Sequence, residues 1–337
     1  MLAMWSAFGA DDKADSHEVG GAWFEAFIAA IPVETKDLIA QTGMDGSMWP
    51  VVLSMLAADA PAGDDDSLIE WVSSQSDLAG RMCSEICNLG EAADVEAVAV
   101  DRDPDALERL LPTVKEHVRD PLATALGLPP VEFASKVARI LRSVLADAYT
   151  PAAPGWAAAI ASSAEAARML EPTMKPNDLI ERITNGLDYV IPLGMTGMVL
   201  VPTVSLRPWT LITEFETTVI VSYSVSDDHM ERDPNAAPGW LVRFHKALGD
   251  EKRLRILREV ADGGAGLSDL TDALGLAKST VFHHIGILRA AGLLRVHIDQ
   301  SEDGTKEYRL RTEAFADADT QLHKYLEVAL THQGVDR

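Results

Sequence analysis

Residues 278–291 combine side-chain types and spacing that suit contact with nucleic acid. Three aliphatic residues recur at helical spacing and predict a helix with one side in a core: Val281, Ile285 and Leu288. The opposite side of that helix carries two polar residues and a glycine: Ser279, His283 and Gly286. A helix with such a side can enter the major groove of duplex DNA, which is wide enough to admit one.

The same stretch supplies groups that can bind bases and phosphates. Serine, threonine and histidine side chains can meet base edges or phosphate oxygens, and a lysine at the start of the helix suits a phosphate. The predicted DNA-contact residues are four from this helix and one from the hairpin that follows it: Lys278, Ser279, Thr280, His283 and Lys306.

Helical patterns and a hairpin surround this helix and must position it. Helices are predicted at about 240–248, 251–261 and 268–274, with Ser268 as the N-cap of the third. The second helix is expected to bury five apolar residues: Leu254, Ile256, Leu257, Val260 and Ala261. A hairpin of 293–298 and 306–311 follows, and its outward cationic or imidazole side chains can flank a DNA backbone: Arg295, His297, Lys306, Arg309 and Arg311. Its acidic tip, with Asp299, Glu302 and Asp303, argues against insertion into a minor groove.

These residues resemble the ArsR/SmtB family of winged helix-turn-helix regulators. Residues 247–257, Ala-Leu-Gly-Asp-Glu-Lys-Arg-Leu-Arg-Ile-Leu, are similar to the family's first signature. Residues 276–285 and 288–294 are similar to its recognition helix and to the turn into its wing. Ala277 and Phe282 depart from the family pattern, since serines are common at those places. The missing N-cap at Ala277 would cost about 1 kcal/mol.

The resemblance, which covers about 75 residues, implies a DNA-binding transcriptional regulator, with repression as the expected mode. It also implies a homodimer that reads a pseudo-palindromic operator in double-stranded DNA with two recognition helices about one turn apart. In the family a final helix pairs the subunits. Here residues 313–337 carry an apolar stripe that could do this or could pack within its own subunit.

The charge distribution permits DNA binding in a chain that is acidic as a whole. The formal net charge is −23, yet residues 240–312 carry 12 lysines and arginines against 10 acidic residues. The acidity therefore lies outside the predicted DNA-binding region, and it should weaken non-specific association with phosphate.

The fold class predicted for the 337 residues is mainly α with small β elements. Residues 1–225 form a larger, mostly helical N-terminal domain with a few strands, expected at 199–201, 204–206 and 217–223. Residues 226–239 are polar and turn-prone and are interpreted as a linker to the winged helix at 240–312. The N-terminal domain is expected to bind a small-molecule effector or to add dimer contacts.

Several classes of function find little support in the sequence. No catalytic residues, cofactor or metal site are predicted, and the third helix of the winged domain lacks the cysteines with which ArsR relatives bind metals. Cys83 and Cys87, four residues apart, make only half a zinc site and are interpreted as buried and inert. No membrane span or secretory signal is recognised, so a cytoplasmic protein is expected. Two alternatives stay open: an enzyme domain fused to a winged helix, and a protein-interaction module that binds no DNA.

Overall fold

A computed structural model describes residues 1–8, 17–87, 90–230, 237–299 and 305–333. The helices are α1 (Leu2–Phe8), α2 (Gly21–Ala30), α3 (Val33–Thr42), α4 (Trp49–Asp59), α5 (Asp65–Ser74), α6 (Leu78–Ile86), α7 (Ala92–Glu96), α8 (Pro104–Leu110), α9 (Glu116–Leu126), α10 (Pro130–Ser143), α11 (Thr150–Ala152), α12 (Trp156–Leu170), α13 (Pro176–Ile183), α14 (Gly239–Leu248), α15 (Glu251–Glu259), α16 (Leu267–Leu274), α17 (Lys278–Ala290) and α18 (Glu313–Gln333). The strands are β1 (Leu187–Val190), β2 (Gly197–Thr203), β3 (Leu211–Phe215), β4 (Thr218–Ser224), β5 (Ala265–Gly266), β6 (Leu294–Asp299) and β7 (Thr305–Leu310).

The structure is mainly helical with two small sheets, which agrees with the prediction of a mainly α chain with small β elements. By its internal contacts the chain divides into two compact units. Unit 1 comprises Met1–Pro154, Thr196–Val199 and Ile212–Ile220, and unit 2 comprises Gly155–Met195, Leu200–Leu211 and Val221–Arg337. Across the described ranges, no helix combines the length and the apolarity needed to cross a bilayer.

Unit 1 is built around helix α10. Phe133, Val137 and Ile140 recur on one side of this helix and are completely buried. That side packs against α3, α5 and α6, because an amphipathic helix must bury its apolar stripe. Trp49 of α4 and Phe27 of α2 are also fully buried in unit 1. The mostly helical character expected for the N-terminal region is confirmed.

The three-stranded sheet has the order β2-β4-β3, so β4 is its central strand. The strand predicted at 217–223 corresponds to β4, and Pro202 lies in edge strand β2, where the lack of an N–H donor is tolerated. The strand predicted at 204–206 is wrong. Those residues form a turn that precedes the cis peptide bond between Arg207 and Pro208. Strand β3 was not predicted.

The helical part of the winged domain follows the predicted order. Helices α14, α15, α16 and α17 begin and end within two residues of the predicted bounds. In α15 the burial of Ile256, Leu257 and Val260 is confirmed, but Leu254 is 49% exposed and Ala261 is exposed. The helix ends at Glu259, so Ala261 lies beyond it, and the buried stripe is narrower than predicted.

The N-cap assigned to Ser268 is also wrong. Helix α16 begins one residue earlier, with Gly266 as its N-cap. The carboxylate of Asp269 accepts a hydrogen bond from the backbone N–H of Gly266 at 2.9 Å, which satisfies one of the amides near the start of the helix.

The second sheet joins the wing to a strand from upstream in the chain. Strands β6 and β7 form the predicted antiparallel hairpin, in which Val296 lies opposite Tyr308. β5 pairs with the outer side of β7, and β1 pairs in parallel with β6, giving the order β1-β6-β7-β5. Strand β1 was not predicted, and it brings residues 187–190 into the same compact unit as the winged helix.

The boundary between the two contact units therefore differs from the predicted domain boundary at 225. Residues 226–230 of the predicted linker include a short 3₁₀ turn, Asp227–His229, while residues 231–236 lie outside the described ranges. Asp227 is held between the guanidinium groups of Arg207 and Arg243. This part of the linker is thus anchored on both sides by charge-assisted hydrogen bonds.

Candidate nucleic-acid interface

Helix α17 has the two-sided character predicted from its sequence. Val281, Ile285 and Leu288 are completely buried, as predicted. Ser279 and His283 lie on the opposite side and are exposed. A polar strip over the first two turns of α17 is therefore open within its own unit, as a recognition helix requires.

The start of α17 adds a site suited to phosphate. The helix begins at the exposed Lys278, and its N-cap Ala277 provides no side-chain hydrogen bond. The backbone N–H groups at a helix N-terminus and the adjacent ammonium group both favour an anion. Thr280, another predicted contact residue, is half-buried, and Lys306 on β7 is exposed.

The second half of α17 is partly covered, which corrects the prediction for Gly286. Gly286 is buried beneath the indole of Trp209, since a Cβ placed at this glycine would lie 2.9 Å from two indole carbons. The ring of Phe282 is stacked on the same indole, with centroids 5.2 Å apart and an interplanar angle of 6°. The guanidinium of Arg289 lies 5.5 Å from the indole centroid.

Neighbouring histidines on α17 face different environments. His283 is exposed, whereas His284 is only 8% exposed and its Nδ1 has no hydrogen-bond partner among the described residues. Burial lowers the pKa of His284 below its usual value of 6.5, although the carboxylate of Asp250 opposes the shift. His284 is therefore a neutral core residue near pH 7, and only His283 is available to a ligand.

The wing carries the predicted cationic side chains, but carboxylates of the same chain bind most of them. Arg295 forms ion pairs with Glu181 and Glu313, and Arg309 forms one with Glu307. Arg311 Nε lies 3.5 Å from Glu313 Oε1.

The histidine of the wing has an acidic neighbour as well. His297 Nδ1 lies 2.8 Å from Asp188 Oδ2 on β1. Carboxylates therefore compete with phosphate for four of the predicted hairpin side chains, and which of these flank DNA stays a prediction: Arg295, His297, Arg309 and Arg311. The predicted acidic tip lies outside the described ranges at residues 300–304, and the side chain of Asp299 is not described either.

Three residues at this site were missed by sequence reasoning: Trp209, Glu181 and Asp188. They lie between 73 and 114 residues upstream of the α17 and wing positions that they meet. Trp209 does stand out as an aromatic residue beside a proline, but nothing in the sequence says which surface it covers.

Helix α18 keeps part of its predicted apolar stripe at the surface. Phe315 is 39% exposed and contacts the ring of Phe244 edge-on, with centroids 5.7 Å apart. Leu326 is 48% exposed, whereas Ala314 and Ala318 are buried. Contacts with its own subunit thus bury only part of the helix.

The cysteines are buried, as the sequence indicated. Cys83 and Cys87 lie one turn apart at α6 with their sulfurs 4.0 Å from each other. A hydrogen bond with Cys87, together with burial, raises the pKa of the Cys83 thiol. Within the described ranges, no group of three or more histidine, cysteine or acidic side chains could hold a metal ion.

One family model matches part of the winged region. Residues 248–297 match the family described as "Helix-turn-helix domain". Among solved structures, HlyU from Vibrio cholerae N16961 is 28% identical; the match covers 26% of this chain and 92% of HlyU, with a TM-score of 0.21. No curated protein matches the chain. The family match and the exposed polar strip of α17 together support a DNA-binding transcription regulator.

Proposed function

We propose that this protein is a transcriptional repressor of the ArsR/SmtB type that inserts α17 into the major groove of its operator. The observation that carries the proposal is the pairing of an exposed polar strip, Ser279 and His283, with a fully buried aliphatic side on the same helix. Ser279 and His283 read base edges, while Lys278 and the first backbone amides of α17 bind a phosphate. Thr280 and Lys306 complete the contact surface.

The repressor binds as a homodimer to a pseudo-palindrome, with α18 pairing the subunits. The support is that α18 leaves apolar side chains exposed, and exposed apolar surface of this kind often marks a site of contact with another protein. Two α17 helices then enter successive major grooves about one helical turn apart. Residues 1–225 bind an effector that changes the affinity for the operator.

The low positive charge of the winged region fits specific rather than non-specific binding. Residues 240–312 have only two more lysines and arginines than acidic residues, and much of the wing's positive charge is bound by carboxylates. Electrostatic attraction to phosphate supplies most non-specific affinity, so this protein should discriminate its operator by base contacts.

The test uses the full chain and genomic DNA fragments. Bound fragments are selected and sequenced, and affinity for a selected duplex is measured by fluorescence anisotropy at two salt concentrations. The variant Ser279→Ala/His283→Ala should bind at least about tenfold more weakly, since each lost base contact is worth about 1–3 kcal/mol.

A matched control removes a serine and a histidine elsewhere. Ser73 and His117 are exposed on helices α5 and α9 of unit 1, so Ser73→Ala/His117→Ala should bind as the wild type does. Unchanged binding by Ser279→Ala/His283→Ala would refute the assigned reading surface. No salt-dependent binding to any fragment would favour a protein-interaction module instead.

A further inference from the structure

Trp209 occupies a continuous strip along one side of α17. The strip consists of Phe282, Gly286 and Arg289, which are spaced four and three residues apart and therefore lie on one side of the helix. The indole is parallel to the Phe282 ring, lies over Gly286 and is covered in turn by the Arg289 guanidinium. This strip borders the exposed polar side that carries Ser279 and His283.

Gly286 makes the close approach of the indole possible. Any larger residue at this position would place its Cβ 2.9 Å from the Cζ2 and Cη2 atoms of Trp209, closer than such atoms come without one of them moving. A glycine in a helix interior costs about 1 kcal/mol relative to alanine. The stacking of Trp209 therefore explains a residue that the helix itself disfavours.

The covered helix is too wide for its proposed binding site. An α-helix with its side chains is about 10–12 Å across, and the major groove is about 12 Å wide. A stacked aromatic ring adds about 3.5 Å, the contact separation of carbon atoms. Lys278 and Ser279 can still reach the edge of the groove, but the second and third turns of α17 cannot descend into it while the indole is in place.

Backbone and side-chain contacts hold the segment that carries Trp209. The hydroxyl of Ser224 donates a hydrogen bond to the carbonyl oxygen of Trp209 at 3.1 Å, and Arg207 is paired with Asp227. The indole itself is held to α17 by stacking and by the cation–π contact with Arg289. Each contact of these kinds is worth about 0.5–1.5 kcal/mol.

We propose that Trp209 is an autoinhibitory cap on α17, and that operator binding requires the indole to leave the strip formed by Phe282, Gly286 and Arg289. The inference rests on the proposed function of α17. Once uncovered, Phe282 presents an apolar surface that suits a thymine methyl group. Arg289, which forms no ion pair with a carboxylate among the described residues, becomes available to a phosphate.

The apparent affinity for the operator equals the intrinsic affinity multiplied by the fraction of molecules in which the cap is open. Removing the cap with Trp209→Ala should therefore tighten operator binding by about tenfold. The stacking on Phe282 and the cation–π contact with Arg289 together correspond to roughly that factor. Gly286→Ala should act in the same direction by displacing the indole, and Trp209→Phe should fall between. Trp71→Ala removes a half-buried tryptophan of unit 1 and should leave the affinity unchanged.

A second measurement follows the cap directly in the full chain. With 5-fluorotryptophan incorporated, the ¹⁹F resonance of Trp209, assigned by its loss in Trp209→Phe, should shift toward that of a solvated indole when a selected operator duplex is added. A Trp209 resonance that does not change on operator binding overturns the proposal. Because this measurement uses the wild-type chain, it decides the matter even if Trp209→Ala does not fold.

The affinities separate this inference from the proposed function. Equal binding by the wild type and Trp209→Ala leaves the proposed function standing and overturns the cap, and weaker binding by the variant makes Trp209 a DNA contact instead. If neither protein binds any duplex, the proposed function fails and the cap fails with it.

Discussion

Arg295 Nη2 on the wing lies 2.7 Å from Glu181 Oε1, so a carboxylate from α13 binds a cation that would otherwise be available to DNA. Glu313 binds the same guanidinium from the start of α18 at 2.8 Å. Two acidic residues thus hold one arginine, and this arrangement limits how strongly the wing can attract phosphate.

Neutralising both carboxylates should make operator binding more dependent on salt. In Glu181→Gln/Glu313→Gln, Arg295 and Arg311 lose the carboxylates that bind them and become able to pair with phosphates. This change adds about one to two to the magnitude of the slope of the logarithm of affinity against the logarithm of salt concentration. Anisotropy titrations at four salt concentrations measure that slope. The control Glu132→Gln/Glu165→Gln removes the same charge from two other ion pairs and should leave the slope unchanged. Identical slopes in both variants would show that the wing does not approach DNA.

The ion network around Asp227 should be important for the stability of unit 2. Burial alone would raise the pKa of Asp227, but hydrogen bonds from Arg207 and Arg243 outweigh it and hold the pKa below 3.8. Asp227→Asn should lower the free energy of unfolding by about 3 kcal/mol, because it removes the carboxylate that binds two partly buried guanidinium groups. Urea denaturation at pH 7 checks this.

The sign of the pH dependence follows from the same shift. The stabilisation by the Asp227 carboxylate is present above its unfolded pKa and is lost as the pH falls through the lower folded pKa. Glu165→Ala, which breaks an exposed ion pair with Arg168, serves as the control and should have little effect on the unfolding curve. A comparable loss in both variants would contradict the role assigned to Asp227.

His284 should make the winged region less stable in mild acid. Its pKa is lowered in the folded protein by burial, so the unfolded chain binds a proton more readily. The resulting stability is complete above the unfolded value of about 6.5 and is lost as the pH falls from there through the folded pKa. His284→Phe should flatten the fall in the urea midpoint between pH 7 and pH 5. The exposed His117→Phe should retain the wild-type slope, and a wild-type slope in His284→Phe would refute the assignment.

Leu326 should contribute to self-association if α18 pairs the subunits. A charge at this 48% exposed position would be buried without a partner in a dimer, which is strongly unfavourable. Leu326→Asp should therefore shift the protein from dimer to monomer in size-exclusion chromatography with light scattering. Leu193→Asp places the same charge at a fully exposed leucine and should not change the mass. A Leu326→Asp dimer would mean that another surface pairs the subunits.

Local periodicity was sufficient to predict the helices and the buried side of α17. Val281, Ile285 and Leu288 recur at a spacing that only a helix places on one side, and all three are buried. The same reasoning failed for Leu254, because a short helix packed over a narrow stripe leaves one of its apolar residues at the surface. The prediction of Ser268 as an N-cap failed because the helix begins one residue earlier. Its N-cap is Gly266, whose backbone N–H donates a hydrogen bond to the carboxylate of Asp269.

The parts that escaped prediction depend on contacts between residues far apart in sequence. The four residues of β1 are too few to display a periodic pattern, and their pairing with β6 joins positions 109 residues apart. The contact of Trp209 with Gly286 could not be predicted either, because a glycine on the exposed side of a recognition helix is expected to leave room for DNA. The sequence predicted strand β6 and the glycine on α17, but it did not indicate that β1 covers the first or that Trp209 covers the second.

The parallel pairing of β1 with β6 has a consequence for fragments of this protein. A chain that starts at residue 240 would lack β1 and expose the backbone amides and carbonyls of β6 along a full strand edge. Such an edge recruits strands from other molecules, so the isolated winged helix should be prone to strand exchange and aggregation. Fragments that start before α13 keep the edge covered and are the suitable starting point for studying the DNA-binding half alone.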